Sequence, residues 1–473
     1  MSLWLVYALM TARNIIFMTD IKKDDIIELD ITDLNNLGNG VGRYPSPDGK
    51  VVFVRGAVSG EHVRARVIKV NTGFAVARLI EVLSASRYRC KDNFCDAPLS
   101  CGGCVYRHVT YEHELEIKRG YVKSAFSKAG LADVNVLPTL STGKCEHYRN
   151  KGQYPIAKTK SDITAGFYAA KTHNIVPAEN CSIQNEQFGD ILRFVCDFAD
   201  KNGWSVYDEE SGRGLLRHVY LRIGEATGEI MLCLVVNGDS LPHENELVTE
   251  VVARYPDVVS ILLNRNEKNT NVVLGKDYRT LFGKNGIEDI LCGLRFFISP
   301  DSFYQVNRDG AELLYTKAAE MAQLSGDEIM LDLYCGTGTI GLSMASKVRH
   351  LCGVEIVESA VICAKENAER NSIKNAKFMC ADAGNAETII EAAGGTRPDV
   401  VVIDPPRKGS TKALVDCLSH LGVPKVVYVS CDPDTLARDA VWFCENGYKM
   451  SEVQPVDMFP RTGHVESIVC FSR

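Results

Sequence analysis

The chain changes character near residue 310. From there to the C-terminus, short, mainly apolar runs at 329–333, 351–355, 376–380, 400–404 and 426–430 alternate with stretches at 312–323, 341–346, 359–371 and 414–421, where apolar residues recur every three or four positions. Mainly apolar runs of that length predict strands of a buried sheet, and the intervening spacing predicts helices. Strand and helix in strict succession predict an α/β domain built on a parallel, doubly wound sheet. The run Lys425-Val-Val-Tyr-Val-Ser430 halts at Cys431-Asp432-Pro433, because proline has no N–H for a ladder and restricts the residue before it. Cys431 is left standing at a carboxyl edge, where open α/β sheets bind ligands.

Before residue 310 the pattern is mixed. Short alternating runs at 51–54, 62–68 and 75–82, with turn chemistry at Gly38-Asn-Gly-Val-Gly42 and Asp48-Gly49, predict a small OB-like β-barrel over residues 20–84. Residues 85–302 have an α+β pattern, with helical spacing at 112–130 and 186–203, a hairpin of 219–223 and 229–236, and further strands over 258–298. Residues 303–473 form the doubly wound part.

A chain of 473 residues with 45% hydrophobic content is long enough for two to four domains with their own cores. No run of 18 apolar residues occurs, so no membrane span is predicted. The apolar stretch Leu3-Trp-Leu-Val-Tyr-Ala-Leu-Met10 lacks a basic start and an Ala-x-Ala cleavage site, and Arg13 breaks the apolar character soon after it. Residues 1–19 are therefore expected to be a disordered or spuriously translated leader, with Met18 as the true start, rather than a signal peptide. The 17 cysteines are scattered, which fits reduced thiols in the cytoplasm better than a disulfide scaffold.

A net charge of −7 argues against a nucleic-acid partner, but its distribution points the other way. From Val51 to Lys91 there are eight lysines and arginines against Glu61 and Glu81, a local charge of +6. Such a surplus fits a phosphate-facing patch, although a solvated barrel face would produce the same count. A second basic stretch, Lys144 to Lys171, carries six against Glu146 and Asp162.

Two constellations carry chemistry. Cys95, Cys101 and Cys104 are spaced C-x5-C-x2-C with two glycines inside the loop, a pattern that can wrap a metal centre. Iron–sulfur clusters use four thiolates; zinc sites more often pair two C-x2-C arms, and no second arm occurs. Cys181, in the polar loop Pro177-Ala-Glu-Asn-Cys181, leads as the fourth ligand, with Cys145 and Cys90 as alternatives. The second constellation is Gly336-Thr-Gly338-Thr-Ile-Gly341, with Glu355 placed 19 residues after Gly336 to take ribose hydroxyls. A dinucleotide and S-adenosylmethionine both suit that geometry. Asp332 before the turn, Asp382 after the third strand as an adenine-edge partner, and the rigid loop Asp404-Pro-Pro-Arg-Lys-Gly409 favour S-adenosylmethionine over nicotinamide.

Together with Phe303-Tyr-Gln-Val-Asn307, Ser430-Cys-Asp-Pro433 and His464-Val-Glu466, these motifs resemble the uracil-C5 RNA methyltransferases of the 23S ribosomal RNA class, related to the transfer RNA enzyme that makes ribothymidine. The resemblance covers nearly all of residues 20–473. It implies an N-terminal TRAM barrel, a central α+β iron–sulfur domain with a [4Fe-4S] cluster on Cys95, Cys101, Cys104 and Cys181, and a Rossmann-like methyltransferase domain. Cys431 would be the nucleophile that adds to uracil C6, and Glu466 the base that removes the C5 proton. Asp404 would hydrogen-bond the uracil edge and border the cofactor. Gln305, Tyr334, Gly336, Gly338, Glu355 and Asp382 would line the S-adenosylmethionine pocket. The target base must leave its stack, so Phe303 and Tyr304 are stacking candidates, with packing an equal alternative. The implied partner is RNA, 23S ribosomal RNA first and transfer RNA second, for a cytoplasmic monomer; the competing class is a non-catalytic RNA-binding protein on the same scaffold. Bland roles also stand: Asp432 can cap the helix after it, Cys335 can simply pack, and His464 can be structural.

Overall fold

The computed structural model describes residues 21–45, 47–91, 95–98, 100–159, 162–169, 172 and 174–473, and the expected leader lies outside them. Two compact units divide these residues: one runs to residue 91 and takes in His108–His113, and the other holds 95–107 and Glu114–Arg473.

In the first unit, β1 (Ile26–Leu34), β2 (Asn39–Tyr44), β3 (Lys50–Arg55), β4 (His62–Val70) and β5 (Phe74–Ser84) close a barrel in the order β1-β2-β3-β5-β4. Alternation buries Ile27, Leu29, Ile31, Val52, Val54, Val63, Ala65 and Val67 inside it. The stretch 38–42, expected as a turn, is mostly strand. A Cβ on Gly40 would lie 2.8 Å from Ile31, and one on Gly42 would lie 2.4 Å from the Asp30 carbonyl oxygen. These glycines let β2 lie close against β1; only Gly38, at φ +71°, serves the turn. Part of the basic surplus is consumed locally, because Arg64 pairs with Glu28 at 2.7 Å and with Glu81 at 2.5 Å, while Arg89 pairs with buried Glu61. Arg66, Lys69 and Arg78 remain exposed.

The second unit holds α1 (Tyr111–Lys128) from Glu114 onward and a seven-stranded sheet. Its strands are β6 (Lys151–Lys158), β7 (Ile163–Tyr168), β8 (Ile175–Pro177), β9 (Leu216–Ile223), β10 (Ile230–Val236), β11 (Val258–Arg265) and β12 (Asp277–Gly283), in the order β12-β11-β10-β9-β6-β7-β8. Helices α2 (Glu186–Lys201) and α3 (Glu244–Arg254) cover one face with Phe188, Leu192, Val195 and Leu247. The other face presents Tyr220, Met231, Cys233 and Leu262 to the hairpin β13 (Ile287–Leu291) and β14 (Leu294–Ile298) and to α4 (Arg308–Ala322). That core continues without a break into the last part of the chain through Met330, Ile340 and Leu351.

The C-terminal sheet comprises β15 (Ile329–Leu333), β16 (His350–Glu355), β17 (Ala376–Cys380), β18 (Val400–Ile403), β19 (Lys425–Ser430), β20 (Lys449–Met450), β21 (Gln454–Val456) and β22 (Glu466–Ser472). Between strands run α5 (Thr339–Met344), α6 (Glu358–Arg370), α7 (Ala386–Ala392), α8 (Lys412–His420) and α9 (Pro433–Glu445). The order is β17-β16-β15-β18-β19-β22-β20, with β21 also on β22. Five strands are parallel, as the alternation predicts, but the sheet is not parallel throughout. After α9 no helical crossover separates β20, β21 and β22, and β22 returns antiparallel beside β19 with Ser430 opposite Ser467. Among the described residues no helix is long and apolar enough to cross a membrane.

A buried polar knot fixes the approach to β22. The Lys118 ammonium on α1 donates to Glu114 at 2.8 Å, Asp457 at 2.7 Å and the Phe459 carbonyl at 3.1 Å, and all three charged groups are almost fully buried. The Arg461 N–H donates to Glu114 at 2.7 Å, and Arg461 itself turns the backbone at φ +70°. Tyr148 donates its hydroxyl to the Pro460 carbonyl, and the Tyr106 N–H donates to that of Arg461. Removing the one lysine between two carboxylates leaves both buried without their shared cation. Lys118→Met is expected to cost about 3–5 kcal/mol in urea unfolding; an unchanged midpoint would show that the knot does not hold this loop.

Candidate active site

The site forms at the carboxyl edge of the C-terminal sheet. The first strand, β15, ends in Tyr334-Cys335-Gly336-Thr337-Gly338, where Tyr334 takes φ +65°, Gly336 +53° and Gly338 +82°. A bulky residue in the left-handed region is unusual and marks a constrained turn. Space above Gly336 is open, since a Cβ there would meet nothing within 4 Å. Gly341 is required for a different reason: its N–H donates to Asp332 at 2.8 Å, and a Cβ would lie 2.7 Å from that carboxylate oxygen. Asp332 is buried, and its second oxygen has no partner.

Glu355, at the end of β16, accepts from the Gly336 N–H at 3.2 Å and from the Val357 N–H at 3.0 Å, so its carboxylate is held against the glycine turn. Asp382, beyond β17, is exposed and accepts from the Gly384 N–H at 2.9 Å. Gln305 is buried, and its carbonyl accepts from the Asn150 amide at 2.9 Å. Phe303 and Tyr304 separate cleanly. Tyr304 is 3% exposed and donates to Asp289, a packing role, whereas Phe303 is 66% exposed and its carbonyl accepts from Thr337 in the glycine turn.

Asp404, Cys431 and Glu466 converge. Asp404 follows β18, Cys431 follows the adjacent β19, and Glu466 opens β22 on the other side of β19. Their electrostatics record the proximity. Burial, then Glu466 and Asp404, push the Cys431 thiol up to about 11, with Arg407 opposing. Burial and Asp404 push Glu466 up to about 8, against Arg407. Burial raises Asp404 to about 7, and burial with Asp404 and Glu355 nearby raises Asp332 to about 7. An edge this crowded with carboxyl groups favours a cationic ligand, which would relieve all of them at once.

The supporting loop is anchored on α9. Asp432 caps that helix, accepting from the Asp434 and Thr435 N–H groups at 3.1 and 3.0 Å, so its bland reading holds. Thr435 donates to the Arg407 carbonyl at 3.2 Å and Arg438 to that of Lys408 at 2.9 Å. The Ser410 N–H donates to Asp439 at 2.7 Å, as the Tyr428 hydroxyl does at 2.6 Å. The loop bearing Asp404 and the residue bearing the thiol are thus tied to one helix start. Arg407 was visible in the sequence only as part of its loop motif; its influence on Cys431, Glu466 and His464 comes from the fold. His464 is exposed, and partial burial, then Arg407, Lys118 and Arg149, pull it below its ordinary value.

The cysteine set lies elsewhere in the same unit. Cys95, Cys101, Cys104 and Cys181 line one cavity of about 550 Å³, together with Arg149 and Thr462. Cys145 and Cys90 are not among its described lining residues. Burial, then Cys181, Cys101 and Cys95, push Cys104 up to about 12. Among the described residues no three His, Cys, Asp or Glu side chains close around a single metal-ion position. The [4Fe-4S] expectation is therefore not shown by a closed ligand set, although its four thiols share one cavity.

Comparison with known proteins supplies the family. Residues 110–473 match the family model described as tRNA (Uracil-5-)-methyltransferase, and residues 24–80 match the TRAM domain. An uncharacterized RNA methyltransferase of Clostridium tetani is 42% identical over 451 residues, covering 95% of this chain and 96% of its own. One of Bacillus cereus is 41% identical, covering 96% and 98%. The solved structure of Pyrococcus abyssi tRNA (uracil-54, C5)-methyltransferase in complex with S-adenosyl-L-homocysteine superposes with a TM-score of 0.76 at 26% identity, covering 94% of this chain and 100% of that one. With a family match over more than three quarters of its length and relatives aligned nearly end to end, the chain belongs to the tRNA (uracil-5-)-methyltransferase family and carries an N-terminal TRAM domain.

Proposed function

We propose that the chain transfers the methyl group of S-adenosylmethionine to C5 of a uridine in 23S ribosomal RNA, as a cytoplasmic monomer. The observation that carries this reading is the convergence of Cys431, Glu466 and Asp404 at one sheet edge beside the glycine turn. The donor fits the residues present: space over Gly336 is open, Glu355 is held at the turn to take ribose hydroxyls, and the carboxyl-rich edge suits a sulfonium. Bound there, it supplies an electrophilic methyl group.

Uracil C5 is a weak nucleophile, and this chain's side chains compensate. The Cys431 thiolate adds to C6, forming an S–C6 bond and moving the C5–C6 π electrons onto C5 as an enolate, which then takes the methyl group. Asp404 holds the uracil edge. Glu466 removes the C5 proton, the C5–C6 double bond re-forms, and the S–C6 bond breaks to release Cys431. Before a cation binds, Cys431 is a thiol, held well above its ordinary value by burial and two carboxyl groups. A positive charge at this edge lowers that value and favours the nucleophilic form. The exposure of the Phe303 ring supports a role for it in stacking on an extruded base.

The four-cysteine cavity fits an iron–sulfur cluster by its donor set. Burial and the neighbouring cysteines hold Cys104 well above its ordinary value, and the four thiols surround a cavity rather than a single ion position. Cys95, Cys101, Cys104 and Cys181 would hold the group, and Thr462 on the cavity wall would join it to the loop before Glu466. Choice of 23S ribosomal RNA rests on the motif resemblance and this cysteine set. A second reading, transfer RNA, is favoured by the Pyrococcus abyssi structure.

Labelled methyl transfer to separated 23S ribosomal and transfer RNA, taken from cells lacking the protein, tests the reading. Wild type should label 23S RNA as 5-methyluridine. Cys431→Ala should lose on the order of 10³-fold or more in rate while still binding S-adenosylhomocysteine, and Glu466→Gln should accumulate a denaturation-resistant RNA–protein adduct. Label only in transfer RNA would replace the substrate, and full turnover by Cys431→Ala would remove the nucleophile. Separately, anaerobically purified protein should be brown with visible absorbance that bleaches on reduction, and Cys104→Ala should lose it; a colourless, zinc-loaded protein would contradict the cluster.

A further inference from the structure

The second basic stretch, which the reaction above leaves without a role, folds into an unusual charge arrangement. Lys151 opens β6, and its cross-strand partner on β9 is Arg222. Like charges directly opposite each other on a sheet repel and destabilise the pair. Arg222 is fully buried, and its guanidinium is fixed in place, donating to the Ser302 carbonyl at 3.0 Å and the Tyr304 carbonyl at 2.8 Å while its Nε stays buried without a partner. Those two carbonyls flank Phe303, the exposed ring beside the glycine turn.

Arg149, two residues before Lys151, adds a third positive charge. Every charged group acting on Lys151 is an arginine, and burial with Arg222 and Arg149 pulls its ammonium down to about 8. Among the described residues no carboxylate acts on Lys151, although elsewhere in this unit buried cations such as Lys118 are paired with acids. Arg149 also acts on His464, two residues before Glu466, so the cluster lies within electrostatic reach of the candidate active site. A fold that places three cations together, buried or half-buried, with no acid beside the central lysine, retains an unfavourable interaction that an anion would remove.

We propose that Lys151, with Arg149 and Arg222, forms a phosphate-binding subsite that grips the RNA backbone next to the uridine extruded beside Phe303. The subsite deepens the RNA-methylation reading and rests on it. Arg222 sets the position through the carbonyls on either side of Phe303, and Lys151 and Arg149 supply the other two charges. A backbone phosphate there would fix the strand in register without reading its sequence.

The test uses the full-length protein and a fluorescein-labelled 12-nucleotide oligouridylate titrated at several KCl concentrations. Lys151→Gln should raise the Kd several-fold and flatten the slope of log affinity against log salt by about 0.7, one single-strand phosphate contact. Lys151→Arg should restore both. S-adenosylhomocysteine affinity should stay at the wild-type value, and the melting temperature of Lys151→Gln should hold or rise, since a repulsion has been removed; a purely structural lysine would lower it. A wild-type Kd and slope in Lys151→Gln would overturn the subsite. The subsite and the reaction fail separately: wild-type protein that moves no methyl group to RNA refutes the reaction, whereas an unchanged salt slope refutes the subsite.

Discussion

In the C-terminal sheet, β22 runs against β19, with Ser467 opposite Ser430 and Ser472 opposite Lys425. That single reversal brings a residue from the last few of the chain to the edge where the parallel strands end. Had β22 run parallel, Glu466 would lie at the opposite edge, roughly 17–20 Å away along a six-residue strand. The segment just before β22 is fixed by contacts from distant parts of the chain. The left-handed Arg461 turns the chain, Lys118 binds Asp457 and Phe459, and Tyr106 and Tyr148 grip the carbonyls of Arg461 and Pro460. Tyr106 lies two residues past Cys104, so the cysteine segment and the loop leading to Glu466 are mechanically joined.

The electrostatic design has two halves. At the floor, burial first, and then Asp404 acting on Asp332 and Glu466, raises Asp332, Asp404 and Glu466 well above the ordinary carboxylate range. Arg407 supplies positive charge to Glu466, and the Lys151, Arg149 and Arg222 cluster reaches His464 through Arg149. In the proposed reaction the floor receives a sulfonium and the rim receives phosphates. On that proposal each half would be relieved by a ligand of opposite sign, so charge would favour donor and RNA before any specific hydrogen bond forms.

Much of this was legible in the sequence. Mainly apolar runs separated by helical spacing located the five parallel strands, and their boundaries fell within a residue or two; the four inner ones are largely buried, while β17 at the sheet edge is only partly so. The glycine turn, Glu355 and the cysteine spacing were local signals tied to backbone geometry. What the sequence hid depends on contacts between distant segments. β20 and β21 are two and three residues long, too short for a period to register, and the antiparallel return of β22 has no local signature. Glu114 and Lys118 resemble an exposed i,i+4 pair on a surface helix, and only the fold buries them against Asp457. Gly40 and Gly42 resembled a turn because close strand approach and turn formation ask for the same residue. Phe303 and Tyr304 are adjacent and equivalent in sequence; the fold buries one and exposes the other.

The claim that Cys431 and Glu466 work as a pair on one uracil can be examined at the atom that must form a bond. RNA containing 5-fluorouridine carries fluorine where the proton must leave, so a base has nothing to remove and the covalent state persists. After incubation with S-adenosylmethionine, digestion and mass spectrometry should find a methylated fluorouracil nucleotide attached to the peptide bearing Cys431. Attachment at Cys335 or any other cysteine, or methylation with no protein-bound nucleotide, would contradict the arrangement that the antiparallel strand creates.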